Sequence, residues 1–129
     1  MPTLDIHNPA TGALIAAPHA DDAVSVAGKA ALARAAQPAW AALPLAERLA
    51  VMQRFRAGIV AELDALAHTL TLETGKPISQ ARNELNGLLP RIDFFMAMCA
   101  DAIRDQTVFD DSGMRERITH IPLGVVANI

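Results

Sequence analysis

The sequence predicts an α/β fold, α+β when this stretch is taken by itself, with an N-terminal β-hairpin, a mostly α-helical middle and two C-terminal strands. Three observations predict it. Apolar residues recur at three- and four-residue steps through the centre of the chain. Alanine is abundant while aromatics are only 4%, which leans towards close-packed helices. Short apolar runs broken by Pro and Gly flank that centre on both sides.

The hairpin comes first. Leu4-Asp5-Ile6-His7 and Ala13-Leu14-Ile15-Ala16-Ala17 flank Asn8-Pro9-Ala10-Thr11-Gly12, where Pro presets φ and Gly permits a positive one. Pro18 ends the second strand. Asp21 or Asp22 is placed to cap the next helix, with acidic charge at its positive end. That helix is expected to stop near Ala36 at Gln37-Pro38, with Val24, Gly28, Ala31 and Ala35 as its inner stripe.

Pro44 suits the first turn of a further helix. Leu49, Met52, Phe55, Ile59, Leu63, Leu66 and Leu70 then call for one long helix, or two with a break near Val60. Leu72-Glu73-Thr74-Gly75-Lys76-Pro77 carries a helix C-terminal signature, with Gly in position for a left-handed residue and Pro just beyond. The most regular stripe follows: Ile78, Ala81, Leu85, Leu88, Ile92, Phe95, Cys99 and Ile103, with Gly87 and Pro90 suggesting a kink. A polar loop is expected over 105–113, an exposed strand over 114–120, and a buried strand over 125–129 after Pro122.

Bulk properties narrow the function. With 129 residues, 52% of them hydrophobic and 19% charged, the chain fits one domain with a real core. The net charge of −3 is spread without a basic patch, so nucleic acid is not an expected partner. No apolar run is long enough to span a bilayer and no secretory leader pattern opens the chain. The single Cys99 allows no internal disulfide and no CxxC metal site, which favours a reducing, cytoplasmic setting. There is no internal repeat, low-complexity tract or interdomain linker.

Each tempting site has a plainer reading. Cys99 lies on the apolar stripe inside Phe94-Phe95-Met96-Ala97-Met98, so a buried, inert thiol is expected. His7, His19, His68 and His120 are scattered without metal-ligand spacing, and no metal site is expected. Glu73-Thr74-Gly75-Lys76 closes a helix rather than opening one, which argues against a phosphate loop. Arg115, Arg117 and Thr119 share one strand face and could meet an anion, but a solvated or subunit-facing strand explains them more simply. Asp93 is expected on a helix surface. No catalytic residue is identified.

Four strings, in this order and spacing, carry a resemblance that covers essentially the whole chain: Asn8-Pro9-Ala10-Thr11-Gly12; Ala39-Trp40 ahead of Pro44 and Glu47-Arg48; Leu72-Glu73-Thr74-Gly75-Lys76-Pro77; and Pro122-Leu123-Gly124-Val125-Val126. Together they resemble the N-terminal part of NAD(P)-dependent aldehyde dehydrogenases. The resemblance implies that residues 1–129 supply outer helices of a cofactor-binding domain and strands of an oligomerisation sheet, cut from a larger enzyme after Ile129. It implies oxidation of an aldehyde to a carboxylic acid with NAD or NADP through a Cys thiohemiacetal, in a dimer or tetramer. It also implies that the nucleophilic Cys, the general-base Glu and the cofactor-phosphate loops lie further along. Ile129, just ahead of the turn that cradles the nicotinamide in the family, is the one residue expected to touch cofactor. These residues alone are expected to bind no cofactor and to be inactive. The alternative from another class is a non-catalytic helical interaction module that docks its apolar faces on a partner.

Overall fold

The computed structural model describes residues 2–128. The elements run β1 (Ile6–His7), β2 (Leu14–Ala16), α1 (Ala23–Ala42), α2 (Leu45–Ala61), α3 (Leu63–Thr74), α4 (Ile78–Ala102), β3 (Gln106–Asp111) and β4 (Met114–Ile118). β1 pairs antiparallel with β2, and β3 with β4, as two separate ribbons. The mixed α and β class is as expected, with helices in the middle and a ribbon on each side.

The opening turn is built by Asn8. Its side-chain oxygen accepts from the backbone N–H groups of Ala10 and Thr11, at 2.8 and 3.3 Å, and its carbonyl accepts from Gly12 N–H at 2.7 Å. Asp22 then caps α1 in a reciprocal box: its carboxylate accepts from Ser25 N–H at 2.8 Å, and Ser25 Oγ accepts from Asp22 N–H at 2.9 Å. Lys29 reaches back to Asp21 at 2.5 Å.

α1 does not stop at Ala36. It runs to Ala42 with Pro38 inside it, and Leu43 closes it by donating to the Trp40 carbonyl at 3.3 Å. Proline costs the helix one donor, the one that would have served the Arg34 carbonyl, and the helix ends within about a turn of it. The second group of apolar residues forms two helices, not one. Their junction is Glu62, whose N–H bonds the Gly58 carbonyl at 3.0 Å. α4 is continuous through Gly87 and Pro90 for 25 residues.

The stretch expected as a polar loop over 105–113 contains β3 and the turn into β4. Ser112 and Gly113 both have positive φ, 50° and 82°, the signature of a two-residue hairpin turn whose twist matches its strands. The ladder pairs Asp110 with Arg115 and Asp111 with Met114, and its register shifts between Thr107 and Phe109. The two C-terminal strands are therefore β3 and β4. The expected buried strand over 125–129 is corrected: residues 119–128 adopt no regular structure and are exposed, because no neighbouring strand among the described residues pairs with them.

The core is smaller than composition led us to expect. Among the described residues only Ile59, Ala67 and Ala81 are buried hydrophobics. They lie on α2, α3 and α4, the three helices that pack on one another. The accessible surface is 9900 Å² for a mass of 13.7 kDa. A folded monomer of that mass would expose roughly 6,600 Å². Much apolar surface consequently faces outward, including Phe55, Phe94, Phe95 and Val126.

Candidate functional site

The one residue expected to touch a cofactor, Ile129, lies outside the described residues. The segment that leads to it is described. Residues 123–127 run beside α1, and two open hollows separate them. One hollow, of about 460 Å³, is bordered by Ala30, Arg34 and Gln37 on the helix and by Leu123, Gly124 and Ala127 on the segment. The other, of about 250 Å³, is bordered by Ala33, Ala36, Gln37 and Trp40 with Gly124 and Val125. Gly124 has φ 91°, a left-handed backbone that glycine adopts without strain.

The helix face beside this segment is the opposite of the one expected. Each residue advances about 100° around a helix, so Ala30, Ala33, Arg34, Gln37 and Trp40 share one side, while Val24, Gly28, Ala31 and Ala35 share the other. Those four residues are all exposed, Val24 at 80%. The expected stripe consists of small residues and Val24, whereas the observed one also carries Arg34, Gln37 and Trp40.

A second meeting point joins two of the four family strings. The turn at residues 8–12 packs on the C-terminus of α3, where Gly75 has φ 73° and its N–H bonds the Thr71 carbonyl at 2.9 Å. A Cβ built on Gly75 would stand 2.9 Å from Pro9 Cγ and 3.5 Å from the Ala10 nitrogen. The Glu73-Thr74-Gly75-Lys76 string is thus a helix end, as expected, and Lys76 is spent on Glu84 at 2.5 Å. The other two strings meet as well, with Trp40 and Gly124-Val125 bordering one hollow. What read as four separate strings comes together in two places, one a close approach and one the border of an open hollow.

Cys99 is half-buried rather than buried. It lines an open groove between α2 and α4 with Leu49, Met52, Ile92, Phe95 and Met96. A thiol needs a neighbouring cation or base to become a nucleophile, and no ionisable residue other than Cys99 lines that groove. The groove stays open on its outer side because nothing among the described residues covers α4 there, which explains the correction. Among the described residues no three His, Cys, Asp or Glu side chains converge as a metal site. His7 instead uses Nδ1 to donate to the Gly12 carbonyl at 3.1 Å, inside the turn.

The charged candidates are committed to ion pairs. Arg56 forks onto Asp93 at 2.6 and 2.8 Å, tying α2 to α4 across the helix surface where Asp93 was expected. Arg115 holds Asp110 at 2.7 Å across the β3–β4 ladder and Arg117 holds Asp105 at 3.6 Å, so both basic side chains have acidic partners. Thr119 lies past the end of β4. The sequence reading missed Arg48, whose buried Nε has no hydrogen-bond partner among the described residues, and Thr71, whose hydroxyl is in the same position. The signal for neither is visible in periodicity.

The start of α1, where helix N–H groups could hold a phosphate, carries Asp22 as its own cap and Asp21 beside it. The Ser25 backbone N–H and hydroxyl hold the Asp22 carboxyl below the usual carboxylate range, and Lys29 and then Ser25 do the same for Asp21. Two ionised carboxylates at that end repel an anion. No helix is long and apolar enough to cross a membrane among the described residues.

Comparison with known proteins supplies the class. Residues 2–129 match the Aldehyde dehydrogenase family. The chain is 34% identical over 123 residues to N-succinylglutamate 5-semialdehyde dehydrogenase of Novosphingobium aromaticivorans, covering 94% of this chain and 25% of that protein. Among solved structures, it superimposes on PnpE in complex with nicotinamide adenine dinucleotide with a TM-score of 0.82 and 30% identity, covering 91% of this chain and 24% of that one. Succinate-semialdehyde dehydrogenase from Burkholderia pseudomallei gives a TM-score of 0.78 at 27% identity, covering 85% and 23%. The fold is part of the aldehyde dehydrogenase fold. This chain belongs to the aldehyde dehydrogenase family of oxidoreductases, and it spans about a quarter of the length of the curated relatives it matches.

Proposed function

We propose that these residues are the N-terminal part of an NAD(P)-dependent enzyme that oxidises an aldehyde to a carboxylic acid. In this reading α1 to α4 are outer helices of the cofactor-binding domain, and the two ribbons belong to the sheet through which the intact enzyme forms a dimer or tetramer in the cytoplasm. Catalysis through a Cys thiohemiacetal would use groups outside the present sequence, and Ile129 would contact the cofactor. Residues 1–129 alone would then bind no cofactor and turn over no aldehyde.

The observation that carries the reading is the family match over residues 2–129. The acidic start of α1 and the lack of any cation or base among the residues lining the Cys99 groove support the expectation that these residues do not catalyse by themselves. A non-catalytic docking module would also expose apolar helix faces, but it would not account for the match along the whole chain. Calorimetric titration of NAD and of NADP into the full polypeptide carrying these residues tests the proposal. One site per chain, missing from residues 1–129 alone, is the expected result; binding of neither nucleotide by the full polypeptide would reject it.

A further inference from the structure

We propose that Asn86 in α4 is a self-modification site, at which the side-chain amide is lost through attack by the Gly87 backbone nitrogen and an Asp or isoaspartyl residue is left behind. The proposal is independent of the aldehyde-oxidising reading.

Asn86-Gly87 lies inside α4, and both residues are exposed. One peptide plane carries the two backbone groups that matter, the Asn86 carbonyl and the Gly87 N–H. In a regular helix that plane is held twice, by the N–H of residue 90 on the Asn86 carbonyl and by the Gly87 N–H on the Asn83 carbonyl. Residue 90 is Pro, so the first bond cannot form and the ring crowds the carbonyl instead. The plane is held at one end only. Gly87 offers little resistance to rotating it. No atom beyond its chain neighbours and its own helix backbone lies within 4 Å of where a Cβ would stand, and glycine is among the poorest helix formers. An open hollow of about 370 Å³, bordered by Glu84, Leu85, Gly87, Leu88 and Arg91, admits water to the same spot.

Rotation brings the Gly87 nitrogen onto Asn86 Cγ. A bond forms there as the bond from Cγ to the side-chain nitrogen breaks, and the proton lost from Gly87 leaves with that nitrogen as ammonia. Water then opens the resulting succinimide at either carbonyl, and nothing is oxidised or reduced. Asparagine is a heat-labile residue in general, but the other three lack this arrangement. Asn8 precedes Pro9, which has no N–H, and its Oδ1 accepts from Ala10 and Thr11. Asn83 precedes Glu84 and Asn128 precedes Ile129, so a side chain stands beside the attacking nitrogen in both.

The test holds the full polypeptide carrying these residues in mildly alkaline buffer, where the backbone nitrogen gives up its proton more readily, and reads its peptides by mass spectrometry over time. Amide loss is expected at Asn86 well ahead of Asn83 and Asn128. Pro90→Ala, which returns the missing donor, should slow it roughly fivefold, the worth of one backbone hydrogen bond. Gly87→Ala should slow it too, and Asn86→Gln should abolish it at this position. The isoaspartyl product lengthens the backbone within α4, so the thermal transition of the parent should fall with the same time course while that of Asn86→Gln holds. No amide loss at Asn86, or loss no faster than at Asn83, would overturn the proposal, as would a rate that Pro90→Ala leaves unchanged.

Discussion

Gly75 closes α3 directly beneath Pro9, so closely that a methyl group on its Cα would stand 2.9 Å from the proline ring. The residue is therefore constrained twice, by its left-handed φ of 73° and by a neighbour 66 positions away in the chain (75 − 9). Gly75→Ala is expected to destabilise the protein by about 1–3 kcal/mol in denaturant unfolding. Adding Pro9→Gly should restore the part due to crowding and leave the part due to φ. Equal stabilities for the single and double variants would show that crowding contributes nothing.

Much of this local structure was legible in the sequence, because it is set by residues close in the chain. Asp22 and Ser25 are three apart, and the αL residue at Gly75 ends its own helix. Helix caps and glycine turns answer to local chemistry. What escaped were features decided at longer range. Pro38 was read as a stop, yet α1 tolerates it because the loss is a single bond near its end. β3 looked polar, and its strand state comes from pairing with β4 across Ser112-Gly113, a turn whose Ser-Gly signal was present but read as loop. The buried state of 125–129 was inferred from apolarity, which cannot say whether a neighbour exists to cover it. The candidate site was legible only through family resemblance, since it sets Pro9 against Gly75 and brings Trp40 and Val125 to the border of one hollow.

Ala67 and Ala81 have no accessible surface and belong to α3 and α4, the most extensively packed helix pair. A larger side chain at either has no room without moving a helix. Ala81→Leu is expected to cost about 1–3 kcal/mol, with Ala81→Gly milder. Thermal unfolding of the two variants should rank them in that order below the parent.

The Arg56–Asp93 fork joins α2 to α4, with the two side chains 33% and 48% exposed. Solvent screens such a pair, so Asp93→Asn is expected to cost no more than about 1 kcal/mol. The loss should shrink as salt is added. A larger loss, or one insensitive to salt, would contradict a screened surface pair.

Asp21 and Asp22 carry folded-state pKa values below their ordinary ones, through Lys29 and Ser25. A depressed carboxylate stabilises the fold at pH above its unfolded value and loses that contribution as pH falls through the folded one. Helix content should therefore be constant near neutrality and fall below the usual carboxylate range. Asp22→Asn, which keeps a capping oxygen without the charge, should flatten the part of that fall due to Asp22. Circular dichroism of the two proteins across acid pH checks it.

We propose that these residues belong to an aldehyde-oxidising enzyme whose reacting groups lie outside them. The most direct test is aldehyde-dependent formation of NADH or NADPH, followed in parallel on the full polypeptide and on residues 1–129 at equal concentration. The expected result is turnover by the first and none by the second. Turnover by residues 1–129, or none by the full polypeptide with any aldehyde and either nucleotide, would contradict it.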